Sequence, residues 1–455
     1  MDLLRRVAAQ VGPDVAVLRR SREFRLLFTG QTLSFAGSMI TYVAMPYQAY
    51  RLTGSSLVVG LLSVTELVPM VAAALLGGVL ADAMDRRKLI MVTEAGLLPV
   101  SVLLAVNAAA WHQLWLLFAL AAVSAGLYGV QRPSQDALVP ALLARDDLPA
   151  AAALTGVLGN VAMLAGPLAG GGIIALAGLP AAYAADAATC LAGLTAAALM
   201  HAVPRTDPEG QTGLRGLADG LRYAWSRPEL LGSYLIDMAA MFFGAPYALF
   251  PALAARLGGP AVLGLLYAAP AAGGVLVSLT SGWTARVSHH GRGIVLAAAA
   301  WGAAIALLGW APGRWWAVAA LAAAGGADMI SGLFRMTLWN QTIPAGLRGR
   351  LAGLEMISYT AGEPLGNLEA GLAAALTGSA RVSIASGGIA CVAAAALIAV
   401  ALPGLWRYDA RDRQATATGP CERRAAGAVF LTSDAGATEE CRRSEEGRQR
   451  LSSGP

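Results

Sequence analysis

Four acidic residues, Glu66, Asp237, Asp328 and Glu363, lie within stretches that are otherwise almost entirely apolar. A charged carboxylate at the centre of a bilayer costs roughly 2.5–3.5 kcal/mol on insertion scales, so each must be protonated, paired or hydrated. In a poorly hydrated cavity such a group is able to take up a proton near neutral pH and release it later, which is the chemistry of proton-coupled transport. At 1.5 Å per residue of helix, Glu66 stands about ten residues into its stretch, Asp328 about thirteen and Glu363 about fourteen, all close to the membrane centre, with Asp237 nearer one face. The four are not equivalent. Asp328 lies two helical turns before Arg335 on nearly the same face, so a structural Asp328–Arg335 network competes with a role in coupling. Glu66 precedes Leu67-Val68-Pro69, whose proline bends the helix toward a cavity. Glu363 sits between Gly362 and Pro364 and is the first candidate for proton coupling, with Glu66, Asp237 and Asp328 behind it.

Other chemistries find no support. His112, His201, His289 and His290 fall at the ends of apolar stretches or between them, away from the membrane centre. A phosphate loop ending in Gly-Lys-Ser/Thr is absent, and so is a dinucleotide-binding Gly-x-Gly-x-x-Gly in a strand–helix setting. Cys190 and Cys391 lie inside apolar stretches, and Cys421 and Cys441 in the polar C-terminal segment; they suggest neither a disulfide nor a metal site. The sequence predicts a chain that is not an enzyme and carries no cofactor and no metal, with a small-molecule substrate, protons and membrane lipid as its partners.

The elements that must position these acids are membrane helices. Hydrophobic residues make up 56% of the chain and charged residues 13%, too few charges to cover a soluble surface, where about a quarter is usual. Stretches long enough to cross the hydrocarbon recur twelve times, at about residues 24–50, 56–81, 88–108, 113–138, 149–176, 180–203, 229–255, 259–285, 292–312, 315–338, 349–377 and 381–403. The 53 glycines suit close helix–helix contact in lipid. Charged and glycine-rich landmarks repeat at an offset of about 204 residues, the mark of an internal duplication. Gly77-Gly78-Val79-Leu80-Ala81-Asp82-Ala83-Met84-Asp85-Arg86-Arg87-Lys88 has a weaker copy at Ser281-Gly282-Trp283-Thr284-Ala285-Arg286. Arg51-Leu52-Thr53-Gly54 matches Arg256-Leu257-Gly258-Gly259, and Arg132, Pro140 and Arg145 match Arg335, Pro344 and Arg348. An all-α integral membrane protein of two parallel, pseudo-symmetric six-helix halves follows. Residues 1–203 form the first half, 204–228 a cytoplasmic linker, 229–403 the second half, and 404–455 a disordered cytoplasmic tail whose polar composition cannot bury a core.

Orientation follows from the basic residues. Of the 33, only Arg51, Arg256, Arg314 and Arg381 fall on one side, and all the rest fall on the other or in the terminal segments that join it. The positive-inside rule then places both termini in the cytoplasm of a multi-pass protein of the cell membrane. The net charge of +5 is accounted for by bases beside anionic headgroups of the inner leaflet, so no nucleic-acid partner is implied. Residues 1–22 lack the long apolar core of a cleaved signal peptide. A monomer is expected.

The charged hairpin offers a latch. Asp82, where the second stretch leaves the membrane, can face the positive N-terminus of a neighbouring helix, a contact contributing about 0.3–1 kcal/mol when exposed and up to about 2 when partly buried. Arg86 can pair with Asp136, completing a latch of Gly78, Asp82, Arg86, Arg87 and Asp136; in the simpler reading Arg86, Arg87 and Lys88 serve topology alone. Gly166-Pro167 removes a backbone donor from the fifth stretch, bends it and lets a neighbour approach. Gln31, Tyr42, Asn160, Tyr267, Arg335, Trp339 and Asn340 are candidate cavity residues.

These motifs resemble those of the major facilitator superfamily over residues 20–405. Gly78-x-x-x-Asp82 followed by Arg86-Arg87-Lys88 resembles its loop between helices 2 and 3, and Gly166-Pro167-Leu168-Ala169-Gly170-Gly171 the core of the helix 5 signature of its exporters. Gly78-Val79-Leu80-Ala81-Asp82 with Asp85-Arg86-Arg87-Lys88, and Leu266-Tyr267-Ala268-Ala269 with Leu279-Thr280-Ser281-Gly282, look like the enterobactin (siderophore) exporter branch, which has a carboxylate at the place of Glu363. The resemblance implies the superfamily fold, an Asp82 partner near Arg350, and secondary active, proton-coupled export of a siderophore or a hydrophobic drug-like molecule by alternating access. A nutrient importer of the same fold or a non-transporting membrane sensor is the alternative. Ala83 and Asp85 depart from the usual loop, Ala162 replaces an upstream glycine of the exporter signature, and Trp115 to Gly126 lacks the intramembrane arginine of many drug–proton antiporters.

Overall fold

A computed structural model describes the backbone of residues 16–201, 222, 223, 225–343 and 348–409, with side chains at all of these but 76, 78–83, 137, 285 and 348–360. Twelve long helices account for most of the described residues, and none of those residues forms a strand. They are α1 (Arg22–Thr53), α2 (Ser56–Ala83), α3 (Arg86–Val106), α4 (Leu114–Leu142), α5 (Leu148–Ala177), α6 (Leu179–Leu199), α7 (Pro228–Gly244), α8 (Pro260–Thr280), α9 (His290–Gly309), α10 (Arg314–Thr342), α11 (Arg348–Thr377) and α12 (Ala380–Ala401). Ten of the spans are long and apolar enough to cross a membrane. The other two, α1 and α11, are as long but carry Gln31, Ser34, Thr41 and Gln48 or Glu363, Asn367 and Glu369 along an apolar background.

Local chemistry sets the helix ends. The Ser21 side chain accepts a hydrogen bond from the Phe24 amide to start α1, and Asp85 accepts from the Arg87 amide at 3.0 Å to start α3, each filling one of the donors a helix start leaves open. That capping role explains an aspartate at position 85, where the superfamily loop usually has glycine. Left-handed glycines turn the chain after α1 (Gly54, φ +67°) and after α11 (Gly378, φ +67°), a conformation costly for residues with a Cβ.

The expected continuous seventh helix is broken. After Gly244 the backbone leaves the helical path at Ala245 and Pro246, makes one tight turn at Tyr247–Leu249 and resumes as Phe250–Leu257. Pro246 has no amide to donate and pushes the preceding residue out of the helical region. The amide this would leave open at Ala248 is taken by Asn367 Oδ1 of α11 at 2.9 Å.

Packing reproduces one pattern twice. α1 lies along α5 and α6, α2 along α4, and α3 along α4 and α6; α7 lies along α11 and α12, α8 along α10, and α9 along α10 and α12. Each pairing in the first six helices recurs six helices later, so the halves are parallel repeats. They meet where α2 packs on α11 and α5 on α8.

Burial is unequal along that seam. At the end away from the termini, one hydrophobic cluster runs through both halves, from Val43, Leu62 and Tyr183 to Phe250, Leu266 and Ala370. At the end where α1 begins and α12 finishes, the clusters among the described residues stay within a half: Leu27, Ile90 and Leu138 or Phe24 and Leu154 in the first, and Leu230, Tyr234, Phe334 and Trp339 in the second. The molecule is sealed at its far end, and at its near end no hydrophobic cluster spans the halves among the described residues. The near end is also tied within the first half, where Arg20 meets Asp147 at 2.7 Å and Glu23 receives the His201 amide at 2.9 Å. Burial pushes the Glu23 carboxyl up, but hydrogen bonds from His201 and Arg22 outweigh it and hold the group below the usual carboxylate range.

Candidate functional site

Beneath the far-end seal the two halves meet through a hydrogen bond. Tyr42 on α1 donates to Glu363 Oε1 on α11 at 2.6 Å, and Glu66 on α2 lies within electrostatic reach of Glu363. Above them is a roof of rings. Tyr267 on α8 packs edge-on to Tyr42 at 5.3 Å and to Phe250 at 5.1 Å, and stacks on Tyr247 at 6.0 Å. The Tyr267 hydroxyl donates to the Tyr247 carbonyl at 3.2 Å. One turn toward the far end from Glu363, Asn367 donates to Ser63 of α2 at 3.3 Å while holding the break in α7. Four of the sequence candidates from both halves, Tyr42, Glu66, Tyr267 and Glu363, thus share one place.

Glycine makes this geometry possible. A Cβ at Gly362 would come within 2.8 Å of Met241 Cβ, one at Gly366 would meet the α7 backbone, and one at Gly371 would come within 2.7 Å of the Ser56 carbonyl oxygen. α11 is therefore wedged between α7 and α2, with Glu363 on the wedge.

A second group sits in the C-terminal half. Arg335 on α10 pairs directly with Asp237 on α7 and lies 3.8 Å from Asp328. Asp237 is buried and its arginine nearly so. The Asp328–Arg335 network expected from spacing is present, but the closer acid is Asp237. Asp237 thus has a cation as its partner, whereas Glu363 has a hydroxyl. Trp339 is corrected from cavity to core: it is buried, stacks on Tyr234 at 5.1 Å and donates its indole N–H to Ser233 at 2.9 Å, because a ring with one donor packs best where that donor finds a partner. Asn160 and Asn340 are exposed.

The motif residues separate by role. Gly166 and Gly170 let α5 close on Met39 and Ile40 of α1. Gly171 faces Gly264 of α8 across the seam, where a Cβ would come within 2.7 Å of Gly264 Cα, and the Pro167 carbonyl lies against Gly264 from the other side. In the hairpin, Arg87 donates to the carbonyls of Ala197 (2.9 Å) and Ala198 (2.7 Å) at the end of α6, a cap within its own half rather than a tie across the seam. Asp136 is met by Arg132 at 3.6 Å on its own helix. The Asp82 side chain, those around its expected partner Arg350, and the surroundings of Gly78 are not described, nor are most of the 204–228 linker and residues 410–455 of the tail. Among the described residues no group of His, Cys, Asp and Glu could hold a metal ion.

Sequence reasoning missed two acids. Glu94 on α3 and Asp186 on α6 are fully buried in the N-terminal half. Thr41 and Ser101 each donate to Asp186 Oδ2 at 2.8 Å, and Gln131, Ser34 and Gln31 donate to Glu94. A lone acid in an apolar stretch marked both, but they lie nearer the stretch ends than the depth criterion required. Tyr247, Phe250 and Asn367 were also missed, since neither a helix break nor a cross-helix cap has a signature in one sequence.

Two parallel six-helix repeats sealed at one end around a polar centre define a membrane transporter of the major facilitator superfamily. More narrowly, the chain belongs to the family described as transmembrane secretion effector, whose model matches residues 15–425. It is 28% identical over 424 residues to the enterobactin exporter EntS of Escherichia coli O6:K15:H31, covering 89% of this chain and 98% of that protein. It is also 28% identical over 394 residues to the protein of that name from Citrobacter koseri, covering 83% and 92%. Among solved structures, the nucleoside transporter NupG superposes with a TM-score of 0.61 at 14% identity, covering 85% of this chain and 100% of that one. A bacterial homologue of the iron transporter ferroportin gives 0.62 at 15%, covering 85% and 99%. Likenesses this remote speak for the fold alone.

Proposed function

We propose that this chain is a proton-coupled exporter, moving a siderophore or a hydrophobic drug-like molecule out of the cytoplasm by alternating access, with both termini in the cytoplasm. The observation that carries the reading is the Tyr42–Glu363 hydrogen bond across the seam. Glu363 has a hydroxyl partner rather than a cation, stands at the base of the far-end seal, and feels Glu66 from the other half. A proton arriving there changes the balance of forces between α1, α2 and α11, and so biases one conformation over the other. The charge asymmetry makes the near end cytoplasmic, so the state described is inward-open. Residues 1–203 and 229–403 act as the two rocking units joined by 204–228. The siderophore branch is favoured by the two exporter relatives; the exposed Tyr42 ring beneath the roof offers an aromatic face that suits either substrate class.

The test is transport in proteoliposomes under an imposed pH step, with enterobactin and with ethidium as probes. The wild type accumulates a probe against its gradient, and Glu363→Gln binds it without accumulating it. If neither probe moves in the wild type, the substrate classes are wrong. If Glu363→Gln retains pH-driven accumulation, coupling lies at another acid, with Glu66 next to test.

A further inference from the structure

We propose that the N-terminal half contains its own proton-exchange site, Glu94, one hydrogen bond in from the partly buried Gln31 and separate from Glu363. Glu94 has no solvent exposure and sits among four helices. Gln131 Nε2 of α4 donates to Oε1 at 2.8 Å and Gln31 Nε2 of α1 at 3.4 Å, while the Ser34 hydroxyl of α1 donates to Oε2 at 3.1 Å. On the fourth side α6 presents Gly193, where a Cβ would come within 3.1 Å of all three carboxyl atoms. The pocket is shaped to the carboxyl group.

The titratable groups facing it are Asp186 and Cys190 of α6 and Tyr128 of α4. Among the described residues no cation pairs with Glu94. The donors serve both protonation states. With the acid ionised, Ser34 donates to Oε2; with Oε2 protonated, the same hydroxyl turns and accepts, while both glutamine amides keep donating to Oε1. Exchange therefore needs one hydroxyl rotation and no movement of backbone. One route outward runs through Gln31, which is bonded to Gln135 of α4, both of them only partly buried. Glu94 and Gln31 each lie about eight or nine residues from the near ends of their helices, roughly 12–14 Å in. Asp186 is farther from that route, beside Thr41, two turns beyond Ser34 on α1.

The experiment needs no substrate and leaves the Glu363 reading untouched. Infrared difference spectra of the purified full-length protein in lipid nanodiscs are recorded between about pH 5 and about pH 9, the range in which perturbed carboxyl groups titrate. A protonated-carboxyl C=O band should disappear in Glu94→Gln, persist in Glu363→Gln, and shift in frequency in Ser34→Ala, which retains the acid but removes one hydrogen-bond partner. Ser34→Ala keeps the test alive if Glu94→Gln fails to fold. Spectra of wild type and Glu94→Gln that superimpose, or a Ser34→Ala spectrum with no shifted band, would overturn the proposal.

Discussion

Arg335 shows how a charge is kept inside this membrane protein. It faces Asp237 directly and Asp328 at 3.8 Å, so its positive charge is offset by carboxylates from two helices. Removing one member of a buried pair typically costs about 3–5 kcal/mol because the other is stranded, whereas removing both is often close to neutral. Asp237→Asn and Arg335→Gln are therefore each expected to lower thermal stability in detergent, and Asp237→Asn/Arg335→Gln to recover most of the loss. Three variants equally destabilised would show that packing, not pairing, matters there. The contrast with Glu363 follows: its partner is the Tyr42 hydroxyl, which stabilises either protonation state. Sequence placed the acids at membrane depth and Arg335 toward the inner end of its stretch, because charges in apolar stretches are conspicuous. It paired Arg335 with Asp328 by helical spacing, and could not see Asp237, which reaches the arginine only through the packing of α7 on α10. The same blindness hid Glu94, whose partners come from α1 and α4.

At the scale of helices, the run from Gly166 to Gly171 has two working faces. Gly166 and Gly170 admit α1, and Gly171 admits α8, so α5 bridges its own half to the other at the sealed end. Gly172, the next residue, meets nothing within 4 Å. The pair makes a controlled experiment in one turn of helix. Gly171→Val must separate α5 from Gly264 and is expected to abolish far-end closure and transport while the protein still inserts, since lipid accepts the displaced face as readily as protein does. Gly172→Val should transport as the wild type does. Equal transport by the two variants would remove the α5–α8 contact from the closure. The motif was legible in sequence as a glycine-rich run with a proline, but which glycine faces which helix depends on rotation about the axis, and an apolar helix surrounded by apolar neighbours leaves that rotation unmarked. The break in α7 was missed for a related reason: Pro246 alone is compatible with a kinked helix, and the Asn367 side chain that satisfies Ala248 belongs to another element.

Over the whole molecule, the duplication was the most readable feature. Landmarks about 204 residues apart correspond to the repeated packing of α1–α6 and α7–α12, and ten of the twelve long helices are spans by apolar length alone. The conformation was not readable, because which helix faces meet at each end depends on packing between elements and leaves no mark in a single sequence. Which end faces the cytoplasm is a matter of charge: Arg51, Arg256, Arg314 and Arg381 flank the far end, and the other 29 of the 33 basic residues lie toward the near end or in the segments joined to it. Such a bias sets orientation during insertion. In a background with Cys190, Cys391, Cys421 and Cys441 replaced, single cysteines at two exposed positions, Lys88→Cys at the near end and Pro312→Cys at the far end, report the outcome. A membrane-impermeant maleimide added to intact cells is expected to label Pro312→Cys and to reach Lys88→Cys only in inverted vesicles. The reverse pattern would put the sealed end in the cytoplasm, overturn the proposed inward-open state, and oblige the proposed proton site at Glu363 to load from the opposite side.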